Sequence, residues 1–214
     1  MKLVIGNKNY SSWSLRGWLA AAATGAAFEE ILIPLDTPQT KAEIARYSPA
    51  GRVPVLIDDG FEVWDSLAII EYLAEKYPAA GLWSQDARTR ARQRMLCAEM
   101  HSGFAALRSH YPMNMRARVA DRPAPPPVQA DIDRIRSIWR DALARKPAEG
   151  AFLFGPFSAA DIMFAPVVSR FETYGIAVGE SERAYMDAVL AHPHFVKWAE
   201  AAALEPWILS SDEV

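Results

Sequence analysis

Three serines lie close together near the start of the chain, in the stretch "NKNYSSWSLRGW" that follows the apolar run "KLVIG". The pattern predicts a helix that begins at Ser11 or Ser12 and runs to Gly25. Capping of that helix is one explanation for the paired serines. Two in succession, with Ser14 in the first turn, exceed what capping requires. A helix N-terminus favours anions, and a thiolate is one such anion. The hydroxyl of Ser11 or Ser12 can therefore donate a hydrogen bond to the thiolate of a ligand bound there.

A valine and a proline, Val53–Pro54, open the apolar run of "GRVPVLI". Proline cannot donate to a sheet ladder, so it is normally confined to the first residue of a strand or to an edge strand. A trans bond at a strand start is the commoner case. A cis bond would make a tight turn and leave the backbone N–H and C=O of Val53 free to pair with a peptide-like ligand.

An acidic residue and a serine, Asp65 and Ser66, precede the amphipathic run in "WDSLAIIEYL". Ser66 is the predicted N-cap of that helix, and a structural role would be sufficient for it. The pair can also bind an amino-acid head group, with Ser66 and the helix end holding the α-carboxylate and Asp65 the ammonium. Each of the three motifs is weak alone, whereas their order and spacing together are specific.

An α/β unit must position these residues. The sequence predicts a strand over Lys2–Ile5, the serine-bearing helix, a strand at about 29–34, a hairpin from "VPVLI", "DDG" and "FEVW", and a helix over "SLAIIEYLAEKY". The first two strands are expected to be parallel and joined by a right-handed crossover.

Only helical patterns follow from Arg88 onward. They cover about 88–111, 129–144, 159–174 and 183–190 and the stretch "FVKWAEAAAL". The domain boundary is expected in "YPAAGLWSQDA", which has a proline, a glycine and no periodicity. The proline cluster "DRPAPPPVQ" is expected to separate two antiparallel helices.

Composition limits the partners. The 214 residues carry a formal net charge of −3, without the clustered basic field that a nucleic acid or an acidic membrane surface requires. The apolar stretch near the start is shorter than the roughly 20 residues that span a bilayer. The single cysteine, Cys97, excludes an internal disulfide and favours a reducing compartment, by default the cytoplasm. The four histidines lack carboxylates at ligand spacing, so no metal site is predicted.

The chain resembles the glutathione transferase superfamily along essentially its whole length. The stretch "YSSWSLR" is similar to the Ser-Ser-x-Ser sequence of the zeta class and of the serine-type classes in general. The resemblance implies an α/β plus all-α architecture, the glutathione transferase fold. Residues 1–78 would form a thioredoxin-like, glutathione-binding domain, and residues 87–214 an all-helical domain carrying the second-substrate site.

The resemblance also implies roles for the three motifs. The hydroxyl of Ser11 or Ser12 would stabilise the glutathione thiolate. The Val53–Pro54 pair would be the cis-proline turn that binds the cysteinyl backbone, and the Asp65–Ser66 pair would hold the γ-glutamyl group. Two departures stand out: Trp13 takes the place of the zeta-class cysteine, and aspartate takes the place of the glutamate or glutamine usual in the acidic-Ser pair.

Further candidates follow from charge and position. Lys41 and Arg52 are candidate partners for the glycine carboxylate of glutathione, and Trp13 borders the same site. On the helix predicted from residue 88, one apolar face and a neighbouring arginine give candidates for the electrophile site. These candidates are Met100, Phe104, Arg108 and Tyr111. The alternative for this stripe is a core position between helices.

A capping box is predicted in "GPFSAADIMFAP", with Ser158 at the N-cap and Asp161 three residues later. Phe157 and Ile162 flank it as a hydrophobic staple. The stretch is similar to the capping motif inside the helical domain of glutathione transferases. Its expected role is folding rather than catalysis.

The sequence and this resemblance together predict a cytoplasmic enzyme of the glutathione transferase type, and the resemblance implies that it is a homodimer active in detoxification. Glutathione would be the co-substrate and a small electrophile the second substrate, with no metal, nucleic acid or membrane involved. Two alternatives stay open: a glutathione-dependent isomerase or reductase, and a non-catalytic binding module of the same fold.

Overall fold

A four-stranded mixed sheet organises the first part of the chain in the computed structural model, which describes residues 1–119 and 121–213. The strands are β1 (Lys2–Ile5), β2 (Glu29–Leu32), β3 (Val55–Asp58) and β4 (Phe61–Val63). They lie in the order β2-β1-β3-β4. Strand β1 is parallel to β2 and antiparallel to β3, and β3 and β4 form an antiparallel hairpin. The predicted parallel pair and hairpin are confirmed.

Three helices cover this sheet: α1 (Ser12–Ala23), α2 (Thr40–Ala45) and α3 (Ser66–Lys76). Side chains of β1 alternate between its faces, as the period of a strand requires. Leu3 and Ile5 pack in the main core with α1 and α3, whereas Val4 packs with α2 on the opposite face. The order is βαβαββα. The predicted strand, helix, strand, hairpin and helix are confirmed, and α2 lies in the stretch before the hairpin that the sequence patterns did not assign.

Helices account for the secondary structure of the second part of the described chain, apart from a short 3-10 turn at Pro78–Ala80 and an isolated bridge between Phe152 and Gly155. They are α4 (Ala87–Ser102), α5 (Ala105–His110), α6 (Pro126–Arg145), α7 (Ala159–Thr173), α8 (Glu180–Leu190) and α9 (Pro193–Ala203). Helix α6 begins inside the proline cluster, where a proline at the first position costs no hydrogen bond. Among the residues that the structure describes, no helix is both long and apolar enough to cross a membrane.

The single helix predicted over 88–111 is wrong: the structure has two helices, α4 and α5. Helix α4 ends where the N–H of Gly103 bonds the carbonyl of Glu99, and a Cβ on Gly103 would lie 2.7 Å from that same oxygen. Phe104 then adopts a left-handed conformation with φ of 60°. The apolar pattern runs through this break, since Phe104 remains buried and packs in the core. Periodicity alone therefore did not reveal it.

Helix α7 lies at the centre of the molecule and packs against α1 and α4. Its predicted capping box is confirmed. The carboxylate of Asp161 accepts from the N–H and hydroxyl of Ser158, both at 2.9 Å, and from the N–H of Leu153 at 3.0 Å. One apolar core runs from the sheet through α1 into α7, so α1 is fixed from both sides.

Candidate active site

Ser11 is the N-cap of α1, and its hydroxyl is used within the helix. The hydroxyl accepts from the N–H of Ser14 at 3.3 Å and donates to the Ser14 hydroxyl oxygen at 2.8 Å. That second oxygen in turn accepts from the N–H of Gly6 at the end of β1. The three groups form a chain that ties the strand to the helix, so the only proton of the Ser11 hydroxyl is already engaged.

Ser12 is the first residue of α1 and has a different environment. Its hydroxyl oxygen accepts a long hydrogen bond, 3.5 Å, from Nη2 of Arg170 in α7. Within the described part of the chain, no acceptor is in place for the Ser12 hydroxyl proton. Ser12 therefore has a donor to offer a ligand at the helix N-terminus.

A cleft of about 480 Å³ opens in front of these serines. It is formed by the N-terminal turn of α1, helix α5, the buried helix α7 and the C-terminal segment, which comprises residues 205–213. Its wall includes Ser11, Ser12, Trp13, Arg108, Arg170 and Asp212. The cleft thus combines an aromatic surface, two hydroxyls and a positively charged end.

Three arginines surround Trp13 and Ser12. The guanidinium carbons of Arg16 and Arg108 lie 4.5 Å and 5.1 Å from the centre of the Trp13 ring, close enough for cation–π contact. Burial lowers the pKa of Arg16 to about 9 and that of Arg170 to about 10, so both stay charged at neutral pH. Burial also lowers the pKa of Arg108.

Arg16 is fully buried and only partly satisfied. Its Nε donates to the carbonyl of Met163 at 3.0 Å, while Nη1 and Nη2 find no hydrogen-bond partner in residues 1–119 and 121–213. A buried cation without a paired carboxylate raises the electrostatic potential around it. The cleft in front of it therefore favours an anion.

The Val53–Pro54 bond is cis. Pro54 is buried and lies immediately before β3, where its ring faces α1. A Cβ on Gly17 of α1 would come within 3.0 Å of that ring, so glycine is needed for this close approach. The turn and the serine-bearing helix are thereby held side by side.

The prediction that Ser66 caps α3 is wrong, since Asp65 is the N-cap. Its Oδ1 accepts from the N–H of Leu67 at 2.9 Å and of Ala68 at 3.4 Å, and a carboxylate is a strong cap at a helix start. Ser66 is the first helical residue and is fully buried, and its hydroxyl has no partner among the residues described.

A histidine of the second part of the chain reaches this motif. Nε2 of His101, in α4, lies 2.8 Å from Oδ2 of Asp65, and its ring makes an edge contact with Trp13. The two residues are 36 positions apart, so no local sequence pattern could pair them. The histidines were predicted not to bind a metal, and no contact of His101 with Asp65 was predicted. The described residues contain no group of three or more metal-binding side chains.

The two remaining cations proposed for glutathione lie on the surface. Lys41 is exposed in α2, and Arg52 is exposed just before the Val53–Pro54 turn. Neither contributes to the wall of the cleft.

Of the four candidates for the electrophile site, Arg108 lines the cleft. Met100 and Tyr111 are fully buried, and Phe104 is 7% exposed. The Tyr111 hydroxyl donates to the carbonyl of Arg122 at 2.7 Å, and its ring stacks on Tyr174. The alternative of a core position fits these three residues, because they belong to the main apolar cluster.

The C-terminal segment completes the site in a way that the sequence did not indicate. Both oxygens of Glu205 accept backbone N–H groups of the loop before α1, from Lys8 at 2.6 Å and from Asn9 at 3.1 Å. The tail beyond it brings Asp212 into the cleft, and burial raises the pKa of this carboxyl. These contacts span almost 200 positions.

Comparisons with known proteins agree with this geometry. Residues 10–76 match the family model described as glutathione S-transferase, N-terminal domain. The chain is 30% identical to the maleylacetoacetate isomerase of Rattus norvegicus over 169 residues, which cover 77% of this chain and 75% of that protein. It is 43% identical over 58 residues to the dichloromethane dehalogenase of Methylorubrum extorquens, covering 26% of this chain but only 20% of that protein.

Among solved structures, the chain superposes on a glutathione transferase homolog from Burkholderia gl BGR1 with bound glutathione. The TM-score is 0.72 at 26% identity, over 94% of this chain and 97% of that one. The expected fold class is thereby confirmed, with a thioredoxin-like N-terminal domain and an all-helical C-terminal domain. The chain belongs to the glutathione S-transferase superfamily.

Proposed function

We propose that this protein binds reduced glutathione and activates its thiol for attack on a small electrophile, with Ser12 as the hydrogen-bond donor to the thiolate. The observation that carries the proposal is the contrast between the paired serines. The Ser11 proton is engaged by Ser14, whereas Ser12 lines the cleft with its proton free of any acceptor in the described chain. Ser11 then acts as the cap that fixes α1.

With the thiol placed at Ser12, the other parts of glutathione are assigned to the residues around the N-terminus of α1. The backbone of Val53 pairs with the cysteinyl residue, and the carboxylate of Asp65 faces the γ-glutamyl ammonium with Ser66 beside it. Lys41 and Arg52 receive the glycine carboxylate, and Trp13 closes the side of the site. Residues 1–78 thus bind glutathione, while residues 87–214 supply the second-substrate wall.

The chemistry is nucleophilic substitution or addition by sulfur. The ionised thiol attacks an electrophilic carbon, a C–S bond forms, and the electron pair goes to the leaving group or to the adjacent acceptor atom. Holding the thiol at a helix N-terminus with a serine donor lowers its pKa toward neutrality. We place this reaction in the cytoplasm and in a homodimer, as part of detoxification.

Calorimetric titration with reduced glutathione and with its S-methyl derivative tests the binding. Because the S-methyl compound keeps the tripeptide but has no thiol to ionise, we expect it to bind more weakly than glutathione. We expect binding of glutathione in the micromolar to millimolar range. Failure of both compounds to bind would favour the non-catalytic module of the same fold.

Arg108 supports an electrophile that carries an anionic group. Its guanidinium lies against Trp13 at the cleft wall, and burial lowers its pKa while the negative charge of Asp131 in α6 acts in the opposite direction. We expect Arg108→Gln to raise the KM for a carboxylate-bearing electrophile about 10-fold or more, because a charge-assisted contact is lost. The KM for a neutral electrophile of similar size should stay the same, and an equal rise for both would contradict this role.

Isomerisation is the second candidate reaction. The similarity to a maleylacetoacetate isomerase favours it, since an isomerase adds the thiolate and then expels it, returning glutathione unchanged. A screen that follows glutathione consumption separates the two reactions. Conjugation consumes one glutathione per product, whereas isomerisation consumes none.

A further inference from the structure

Arg170 is a buried arginine of the helical domain whose guanidinium reaches the proposed thiolate site. It is 4% exposed and lies in the last turn of α7, far along the chain from the serines. Two of its nitrogens are fixed by backbone carbonyls: Nε donates to Tyr111 at 2.8 Å and Nη1 to Pro166 at 3.3 Å. The third, Nη2, points to Ser12. The guanidinium is therefore held with one edge facing the cleft.

The charges around Arg170 are predominantly positive. Besides the effect of burial, repulsion from Arg108 of α5 lowers the pKa of Arg170, and repulsion from Arg170 and Arg108 lowers the pKa of Arg16 in α1. Tyr174, at the end of α7, and the carboxylate of Asp212 in the C-terminal segment act in the opposite direction. Asp212 also lines the cleft, so its negative charge partly offsets the positive charges of Arg108 and Arg170 there.

A guanidinium has donors but no acceptor, which restricts the hydroxyl beside it. A serine oxygen that accepts from arginine must direct its own proton elsewhere. For Ser12 the open direction is the cleft. The positive charge behind the oxygen also polarises the O–H bond and strengthens its donation to an anion.

We propose that Arg170 is a positioning residue that orients and polarises the Ser12 hydroxyl for donation to the glutathione thiolate. The inference rests on the proposed function, in which Ser12 is the donor. It adds that thiol activation depends on a residue of the helical domain, so that the packing of α7 against α1 is part of the catalytic arrangement. The hydrogen bond of 3.5 Å from Nη2 of Arg170 to the Ser12 hydroxyl oxygen is expected to shorten when an anion occupies the site.

A double-mutant cycle on the pKa of the bound thiol tests this. The thiolate absorbance of glutathione bound to the protein is followed against pH for the wild type, Ser12→Ala, Arg170→Gln and the double variant. We expect Arg170→Gln to raise the thiol pKa by about one unit in the wild-type background. In the Ser12→Ala background it should raise the thiol pKa much less, since the group through which it acts is gone.

Two further variants separate this role from a structural one. Arg170→Lys keeps the charge and should restore most of the wild-type thiol pKa. Thr173→Val removes a buried hydrogen bond from the same helix, to the carbonyl of Asn114 at 2.9 Å, without touching Ser12. It should leave the thiol pKa unchanged. Should Arg170→Gln fail to fold, Arg170→Lys still decides, because a shift of a full unit in that variant would contradict a role for the charge.

The same variants distinguish a wrong role for Arg170 from a wrong role for Ser12. If Ser12→Ala leaves the thiol pKa unchanged, Ser12 is not the donor and both proposals fall. If Ser12→Ala raises it but Arg170→Gln does not, only the role of Arg170 is overturned. The same conclusion follows if the arginine substitution shifts the pKa equally in both backgrounds.

Discussion

We expect Ser12→Ala to lower kcat/KM for a glutathione-dependent reaction by about 100-fold or more, which is the usual cost of removing one preorganised donor to a developing or stable anion. The reason is geometric. The Ser12 hydroxyl lies at the N-terminus of α1 and lines the cleft, and its proton has no acceptor among the described residues. Steady-state kinetics with saturating glutathione and a chosen electrophile measure the effect.

Ser11→Ala is the matched control. Its hydroxyl is occupied by Ser14, so we expect less than about a 10-fold loss of kcat/KM and a loss of stability of about 1 kcal/mol from the missing cap. Urea unfolding of the two variants separates stability from activity. The reverse pattern, with Ser11→Ala inactive and Ser12→Ala active, would exchange the roles assigned to the two serines.

We expect Asp161→Ala to destabilise the protein by about 3 kcal/mol, because three buried donors lose their acceptor at once. Asp161 itself is fully buried at the start of α7, the helix around which the molecule packs. Asp86→Ala is the control. Asp86 also caps a helix, α4, but at an exposed position with one bond to Thr89, so its loss should cost only about 1 kcal/mol. Equal losses for the two variants would contradict the importance of burial at Asp161.

The same carboxyl gives a pH dependence with a defined sign. Burial raises the pKa of Asp161 to about 6, and the hydrogen bonds from Leu153 and Ser158 offset only part of that rise. A folded pKa above the unfolded value means that the folded state holds the proton more tightly. The resulting stability is fully present below about pH 4 and is lost as the pH rises through about 6.

Urea unfolding of the wild type and Asp161→Asn at about pH 7 and about pH 5 checks this sign. The asparagine variant has no proton to bind, and titrations elsewhere in the protein cancel in the difference. We expect the wild type to gain about 1 kcal/mol relative to the variant on acidification. A relative loss would mean that the hydrogen bonds outweigh burial.

Much of the fold could be predicted because its determinants are local. The apolar run of β1, the turn at Asp59–Gly60 and the capping box at Ser158 each express a short-range rule, and the structure confirms all three elements. The break between α4 and α5 is different. Phe104 continues the apolar pattern while its backbone turns left-handed, so the pattern contained no signal of it.

Apart from Arg108, the residues of the candidate site could be predicted only on its N-terminal side. The serines, the Val53–Pro54 turn and Asp65 lie in short motifs whose residue types suggest their chemistry. His101, Arg170 and the C-terminal segment reach the same place by tertiary packing, from 36 to about 200 positions away. Their side chains are ordinary helix or tail residues in the sequence, and their roles depend on which partner the fold places opposite them.

The central claim is that the protein holds glutathione as a thiolate, and a spectroscopic titration of glutathione bound to the wild-type protein tests it most directly. The absorbance of the thiolate is measured against pH with the protein in excess over glutathione. We predict a pKa below about 7.5 for the bound thiol, as for thiols at other helix N-termini with a nearby cation. A bound thiol that ionises only at about 8.5 or above, as free cysteine does, would contradict the claim.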